Sequence, residues 1–385
     1  MQNEIYFSGL GGVVPELPMT AAGLEDLARE RLSPEAFGYI AGSASTERTA
    51  AANLAAFDRH AIVPRMLRGT AAADARDLAV DVLGTRLAAP VLTAPVGVLE
   101  MVHPDAEAAV GAVASELGVG SVLSTAASTP IETVAAASGE NWWYQLYWPS
   151  DEEVAESFVR RAAAAGAKAI VVTADTPGMG WRPRDLVLGH LPFLKAKGIA
   201  NYLSDPVFRS RLATPPEEST EAMQMAVLTW VSMFGNHALR TRDVARLRDW
   251  TDLPIVVKGI VHPDDAREVI DAGASGVVVS NHGGRQVDGA IAALDALPEV
   301  AAAIGDRAAV LLDSGIRSGA DVMKALALGA DAVLYGRPWV YGLGLAGADG
   351  VRHALRMLLA DFDVNMGLAG FATVAELDPS ILRAT

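Results

Sequence analysis

The chain has no cysteine among its 385 residues, which removes disulfides, thiolate nucleophiles and cysteine-ligated metals from consideration. Positive charge is short as well. Thirty-one Lys and Arg against 46 Asp and Glu leave a formal net charge of −15, which argues against a nucleic-acid or anionic-membrane surface. It leaves room for local basic pockets that take small anions. Histidine is scarce too, at seven residues, and His60, His103, His190, His237, His262 and His353 lie scattered without ligand spacing, so no metal site is expected. No uninterrupted apolar run reaches the roughly 18 to 20 residues of a spanning helix. Residues 1–19 carry Glu4 and Glu16 and lack the basic region and apolar stretch of a secretory signal. A cytoplasmic protein without membrane attachment is the expectation.

Hydrophobic residues are plentiful, at 51%, enough for a sizeable core in two average domains or one large barrel. From Pro90 onward, short β-branched runs alternate with alanine-rich helical patterns. Eight runs read as strands: 90–94, 120–124, 142–146, 169–174, 254–258, 276–280, 309–313 and 332–335. Between them lie helix-like stretches such as 105–117, 151–165, 263–272 and 319–328, most of them ending in glycine. Eight strand–helix units predict a closed (β/α)8 barrel, and the loop Pro95-Val96-Gly97-Val98 lacks the glycine fingerprint of the rival open dinucleotide-binding sheet. The reading is one domain over 1–385. It has a helical N-terminal arm (1–89) closing the barrel bottom, a barrel (90–360) and a C-terminal tail (361–385). Within it, 186–240 exceeds the usual length of a barrel loop and reads as a lid over the catalytic rim. Its Met-rich patch, Met223–Phe234, is expected to pack under the lid or at a subunit contact rather than on a membrane.

The densest chemistry is Ser280-Asn281-His282-Gly283-Gly284-Arg285-Gln286, which leaves the strand Gly276–Val279 at the rim where barrels place catalysis. A histidine that can take a proton near neutral pH thus emerges beside an arginine that can fork onto a carboxylate. The other strand ends add Ser124, Gln145, Tyr147, Thr173, Asp175, Lys258 and Asp313. One such residue often only caps a helix; a full set around one mouth implies a site. Lys258, at the end of a buried strand, must face an anion or a group that becomes one; a flavin's pyrimidine edge fits, and a Schiff-base lysine is the competing idea. Arg182 and Arg285 together can clamp one carboxylate. The seventh and eighth loops, Asp313-Ser314-Gly315-Ile316-Arg317 and Gly336-Arg337-Pro338, set glycine beside arginine where barrels commonly bind phosphate; surface ion pairs are the plainer alternative.

These motifs, with Tyr144-Gln145-Leu146-Tyr147, Thr173-Ala174-Asp175-Thr176-Pro177 and Val257-Lys258-Gly259, give a chain that resembles the FMN-dependent L-2-hydroxy acid oxidising enzymes over nearly its whole length. The resemblance implies FMN as cofactor, with His282 as the active-site base and Asp175 hydrogen-bonded to it, favouring its protonated form. It implies Arg182, Arg285 and Tyr39 on the substrate carboxylate and Tyr147 against the hydroxyl. Ala94, Pro95, Val96, Gly97, Ser124, Gln145, Thr173, Lys258 and Ser280 would contact the flavin ring and ribityl chain. Asp313, Ser314, Gly315, Arg317, Gly336 and Arg337 would hold the ribityl and phosphate end. Within that family the pattern is most similar to lactate 2-monooxygenase. This rests on Gly180-Trp181-Arg182-Pro183-Arg184-Asp185-Leu186, Asn201-Tyr202, Asp205-Pro206-Val207-Phe208, Asp313-Ser314-Gly315 and Gly97. That branch would turn L-lactate and O2 into acetate, CO2 and water. Ala126 and Thr176-Pro177-Gly178-Met179 are less bulky than that branch would carry. They leave open a simple oxidase that releases a 2-keto acid and H2O2 from lactate or a larger acid such as mandelate. A catalytically silent phosphate- or flavin-binding barrel is the non-enzyme alternative. The resemblance also implies a homo-oligomer, a tetramer or octamer.

Overall fold

The eight apolar runs are strands, and in the computed structural model, which describes residues 1–385 apart from the side chain of Ala73, they close into one parallel barrel. The barrel strands are β1 (Val91–Thr93), β2 (Gly120–Ser124), β3 (Trp142–Leu146), β4 (Ile170–Thr173), β5 (Ile255–Ile260), β6 (Gly276–Val279), β7 (Ala309–Leu312) and β8 (Ala332–Tyr335). They are joined in chain order, with β8 paired to β1. The (β/α)8 expectation holds, strand by strand. β5 runs two residues beyond its expected end, with an irregularity between Lys258 and Ile260. Gly259 lies there at φ +106, and a Cβ on it would sit 2.6 Å from the Asp175 side chain. Only glycine lets the fifth strand pass that close to the fourth loop.

Strand alternation divides the core into two layers. Leu92, Val122, Trp143, Val171, Val256, Val278, Leu311 and Leu334 fill the barrel interior. Their neighbours, such as Leu123, Val172, Val257 and Val333, face the surrounding helices. The next inward position after each interior residue is therefore 94, 124, 145, 173, 258, 280, 313 or 336. All but Ala94 and Gly336 are polar, and these eight form the top of the barrel.

The N-terminal segment differs from the expected arm. Residues 2–10, 21–31, 34–41 and 48–58 are helical, but the last two helices lie against the catalytic rim. There Asn53 and Asn281 exchange amide hydrogen bonds of 2.8 and 2.7 Å. The last part of the arm does close the bottom, but as a hairpin and not a helix: in Val80–Val82/Thr85–Leu87, Val82 and Leu87 join the interior cluster, while Trp143 Nε1 donates to Thr85 Oγ1 at 3.0 Å. Its two-residue turn, Leu83 (φ 51) and Gly84 (φ 75), has the left-handed geometry hairpins favour. Three-residue strands are too short to show an alternation that a sequence reading would trust.

The segment 186–240 divides in two. Its inner part, built from Pro192–Lys195, Ala200–Leu203, Pro206–Arg209 and Thr220–Met233, is helical and fixed. Asn201 Nδ2 donates to the carbonyls of Ser124 (3.2 Å) and Thr125 (3.0 Å). The fully buried Asp205 pairs with Arg161 at 3.0 Å and accepts the N–H groups of Val207 and Phe208. The Met-rich patch is the helix Thr220–Met233, which buries Ala226, Val227, Trp230 and Met233 and exposes Met225, Leu228 and Val231. The start of the segment is more open: Leu186–Leu188 are exposed to solvent, as are Met179 and Trp181 just before it. Among the described residues no helix is long and apolar enough to cross a membrane. The final helix, Arg337–Ala369, breaks at Ala346-Gly347 and continues past residue 360, because Leu355, Leu358, Phe362 and Met366 keep one apolar face buried.

Candidate active site

The top layer of the barrel is a hydrogen-bonded floor. Ser124 Oγ donates to Gln145 Oε1 and Gln145 Nε2 donates to Thr173 Oγ1, both at 2.9 Å, so one amide bridges β2, β3 and β4. Across the barrel, Lys258 Nζ donates to Ser280 Oγ at 3.0 Å and lies 3.1 Å from Asp313 Oδ2. Burial alone would strip the charge from Lys258, but Asp313 and Asp175 outweigh it and hold the ammonium protonated. Above this floor opens a cleft with about 1080 Å³ of empty space, its solvent-open mouth included.

His282 stands at the cleft wall in the left-handed region, φ +58, followed by Gly283 at +64 and Gly284 at +77. A non-glycine residue held there is strained, and strain of this kind gathers where a side chain must be aimed. Asp175 Oδ1 lies 2.8 Å from His282 Nδ1. Thr176 Oγ1 is 3.2 Å from the same nitrogen and donates to Asp175 Oδ1 at 3.0 Å. With Nδ1 engaged, Nε2 faces the cleft, 3.4 Å from the Tyr147 hydroxyl. Burial lowers the affinity of His282 for a proton, and the Asp175 carboxylate opposes this without overcoming it. Burial would raise Asp175, yet the charges of His282 and Lys258 bring it down to about 2. The resting pair is thus neutral imidazole beside carboxylate: a base ready to accept, with an anion behind it that steadies the imidazolium. Asp175 favours the protonated form, as expected, but burial wins until a proton arrives. Burial keeps the Tyr147 phenol protonated, pushed up to about 12.

Two arginines face this base, and neither has a carboxylate partner among the described residues. Arg285 Nη1 donates to the carbonyls of Tyr39 (2.7 Å) and Gly42 (2.5 Å), and its guanidinium lies 5.2 Å from the centre of the Tyr39 ring. Arg182 Nη2 donates to Gln286 Oε1 at 3.0 Å. Burial, with the Arg182 charge beside it, pushes Arg285 down to about 9. With no carboxylate in contact and only Asp185 within electrostatic range, the two guanidinium groups suit a small anion.

At the other end Arg317 and Arg337 also lack carboxylate partners among the described residues. Arg337 donates to the carbonyls of Ile40, Gly283 and Gly42 and to Ser43 Oγ; Arg317 donates to its neighbour's carbonyl. Gly336 precedes the N-terminus of the last helix, which adds backbone N–H groups. Gly315, φ +125, has room for no Cβ, which would meet the Asn53 carbonyl at 2.6 Å. Ala94, Pro95, Val96 and Gly97 form the facing wall, and a Cβ on Gly97 would meet the Ala126 carbonyl at 2.6 Å. Two arginines with no carboxylate in contact, a buried lysine on the floor and a wall of small residues fit FMN: Arg317 and Arg337 would hold its phosphate, and Lys258 would face its ring.

The structure brings all the residues singled out in the sequence to this cleft, or to the layer directly under it. Sequence reasoning passed over Gln286, whose Nε2 donates to the carbonyls of Asp175 (2.9 Å) and Gly178 (2.8 Å) and so ties the fourth loop to the sixth. It also missed Phe193 and Phe234, which line the cleft with Ala126 and Met179. Gln286 directly follows Arg285, a signal that was available. The two phenylalanines sit far along the chain and carried none.

The model of a family described as FMN-dependent dehydrogenase matches residues 28–384. The FMN-dependent alpha-hydroxy acid dehydrogenase qulF of Penicillium citrinum is 44% identical, over 99% of this chain and 95% of its own. An L-lactate oxidase of Lysinibacillus sphaericus is 40% identical, over 94% and 91%. The crystal structure of a mandelate oxidase superposes with a TM-score of 0.83 at 40% identity, covering 96% of this chain and 98% of that one.

Proposed function

The chain belongs to the FMN-dependent dehydrogenase family, and from that premise we propose that it oxidises an L-2-hydroxy acid to the 2-keto acid with O2 as electron acceptor, releasing H2O2. The observation that carries the proposal is the hydrogen-bonded His282–Asp175 pair opposite two arginines with no carboxylate in contact. Arg182 and Arg285 fork onto the substrate carboxylate, with the Tyr39 ring beside them. That anchorage brings the 2-hydroxyl against His282 Nε2 and the Tyr147 hydroxyl. His282 takes the hydroxyl proton, and Asp175 stabilises the imidazolium that results. FMN, when bound, would supply the acceptor for the C2 hydrogen and the two electrons of its bond to carbon. Lys258 offers positive charge from below to the edge that gains negative charge.

The substrate's side chain meets Ala126, Met179, Phe193 and Phe234, an apolar wall with room where Ala126 is small. We therefore propose a larger acid, including an aromatic one, over lactate. A phenyl ring buried there adds about 2 kcal/mol at the usual rate per unit of apolar area, more than a tenfold preference. A second reading, the coupled conversion of lactate to acetate, CO2 and water, is favoured by one feature. The inner lid is clamped by Asn201 and Asp205, which slows escape of the keto acid. A cytoplasmic homo-oligomer completes the proposal; the apolar residues Tyr6, Phe7 and Leu10 of the first helix and Met225 and Leu228 of the lid helix are exposed and suited to subunit contacts.

The purified protein should be yellow and release FMN. Anaerobic L-mandelate should bleach it with a kcat/KM at least tenfold that of L-lactate, and one H2O2 should form per O2. Acetate in place of pyruvate and H2O2 from L-lactate would establish the coupled reading. A colourless protein that takes up no FMN would end both.

A further inference from the structure

Ser314 stands one residue beyond the floor at φ +72, a conformation that costs glycine nothing and other residues a strained backbone. Its hydroxyl makes contacts that glycine could not. Oγ donates to Asp313 Oδ1 at 2.6 Å and accepts the N–H of Gly283 at 2.9 Å and, at 3.4 Å, that of Asn281. The other oxygen of Asp313 lies 3.1 Å from Lys258 Nζ. Lys258 donates to Ser280 Oγ at 3.0 Å, and Ser280 Oγ accepts the N–H of His282, also at 3.0 Å. The circuit closes on itself. It runs from the seventh loop through the lysine to the turn that carries the histidine, and every side chain along it except His282 is buried. Both of its left-handed non-glycine residues, Ser314 and His282, meet in it.

We propose that Ser314 is a positioning residue that joins the charge state of the floor to the aim of the base. Its proton spreads the charge of Asp313, which leaves more of the Lys258 charge free to act upward. Its lone pair holds the Gly283 amide and with it the strained His282 turn. Without the hydroxyl, Asp313 pairs more fully with Lys258 and the turn loses an anchor. This rests on the reading of the cleft as an FMN site with His282 as base.

The test uses the FMN-loaded Ser314→Gly and Ser314→Ala variants. The first removes the hydroxyl and relieves the backbone; the second removes the hydroxyl and keeps the strain. Three quantities are read beside the parent: anaerobic flavin reduction by saturating L-2-hydroxy acid, the Kd of sulfite, and Tm. Sulfite is an anion whose bleaching of oxidised flavin reports the positive charge offered by Lys258. Both variants should reduce at least tenfold more slowly and bind sulfite at least threefold more weakly, while Ser314→Gly melts no lower than the parent. Either rate or sulfite Kd within twofold of the parent overturns the proposal. So does a Ser314→Gly protein that loses both only alongside a lower Tm, the mark of a purely structural serine. If Ser314→Gly does not fold, Ser314→Ala decides by the same two limits. A parent that takes up no FMN, or is not bleached by any 2-hydroxy acid, fails at the earlier reading and takes this one with it.

Discussion

At the floor of the cleft, Ser124, Gln145, Thr173, Lys258, Ser280 and Asp313 rise from the ends of six neighbouring strands and hydrogen-bond to one another. At the mouth, Arg182 and Arg285 rise from loops, and their companions are backbone carbonyls and a single glutamine. The floor is complete without a ligand: its lysine has its carboxylate and its amide is satisfied at both ends. The mouth is not. Two guanidinium groups stand close together, one of them held well below its ordinary pKa by burial and by the other's charge. A strand-end layer can be rigid because the ladder fixes it from below. A loop-borne clamp can be left charged and waiting because its ligand completes it. The contrast separates the layer that would bind the cofactor from the clamp proposed to select and orient the substrate.

Removing the base should have the largest effect. His282→Ala should slow anaerobic flavin reduction on the order of 10² to 10⁴-fold, the ordinary contribution of a positioned base, with FMN still bound by the intact floor. The same histidine sets the pH profile. Burial places its pKa below the ordinary histidine value, and the reaction needs it neutral. Reduction in the parent should therefore be level through neutral pH and fall only as acid protonates the imidazole, at a pH below the ordinary histidine range. A limb falling above neutrality would assign the titration to another group.

Arg182→Met probes the mouth. Loss of a charge-assisted hydrogen bond costs about 1.5–3 kcal/mol, so kcat/KM should drop on the order of 10 to 100-fold, while FMN content and the flavin spectrum stay those of the parent. A variant that loses FMN would dissolve the distinction between floor and mouth. Gln286→Ala should give the smallest change. It removes the acceptor from Arg182 Nη2 and the two donors that tie the fourth loop to the sixth. Each is worth about 1 kcal/mol, so KM should rise several-fold with little loss of the limiting reduction rate. An equal fall in that rate would mean Gln286 also aims Asp175, whose carbonyl it holds.

Much of this was legible because a barrel strand repeats every two residues. Once Val278 or Val256 is read as interior, Ser280 and Lys258 must point the same way, and the polar layer follows without coordinates. The His282 to Arg285 spacing on a glycine turn was equally plain. Helix and strand limits were off by a residue or two, where backbone pairing gives way to caps. The part of the arm that closes the bottom was read as helix because three-residue strands around Leu83-Gly84 show no usable alternation.

The sequence by itself determined the barrel, the inward polar layer and the chemistry of base and clamp, since local periodicity and residue type suffice for these. Tertiary structure alone decided that 186–240 is largely fixed, with only its start exposed. A buried ion pair such as Arg161–Asp205 and an amide reaching from Asn201 to two carbonyls join positions with no pattern between them. It also decided that Phe193 and Phe234 line the cleft, and that Ser314 and His282 share one strained circuit. Such contacts close only when distant loops meet, and a chain read in order carries no signal for them.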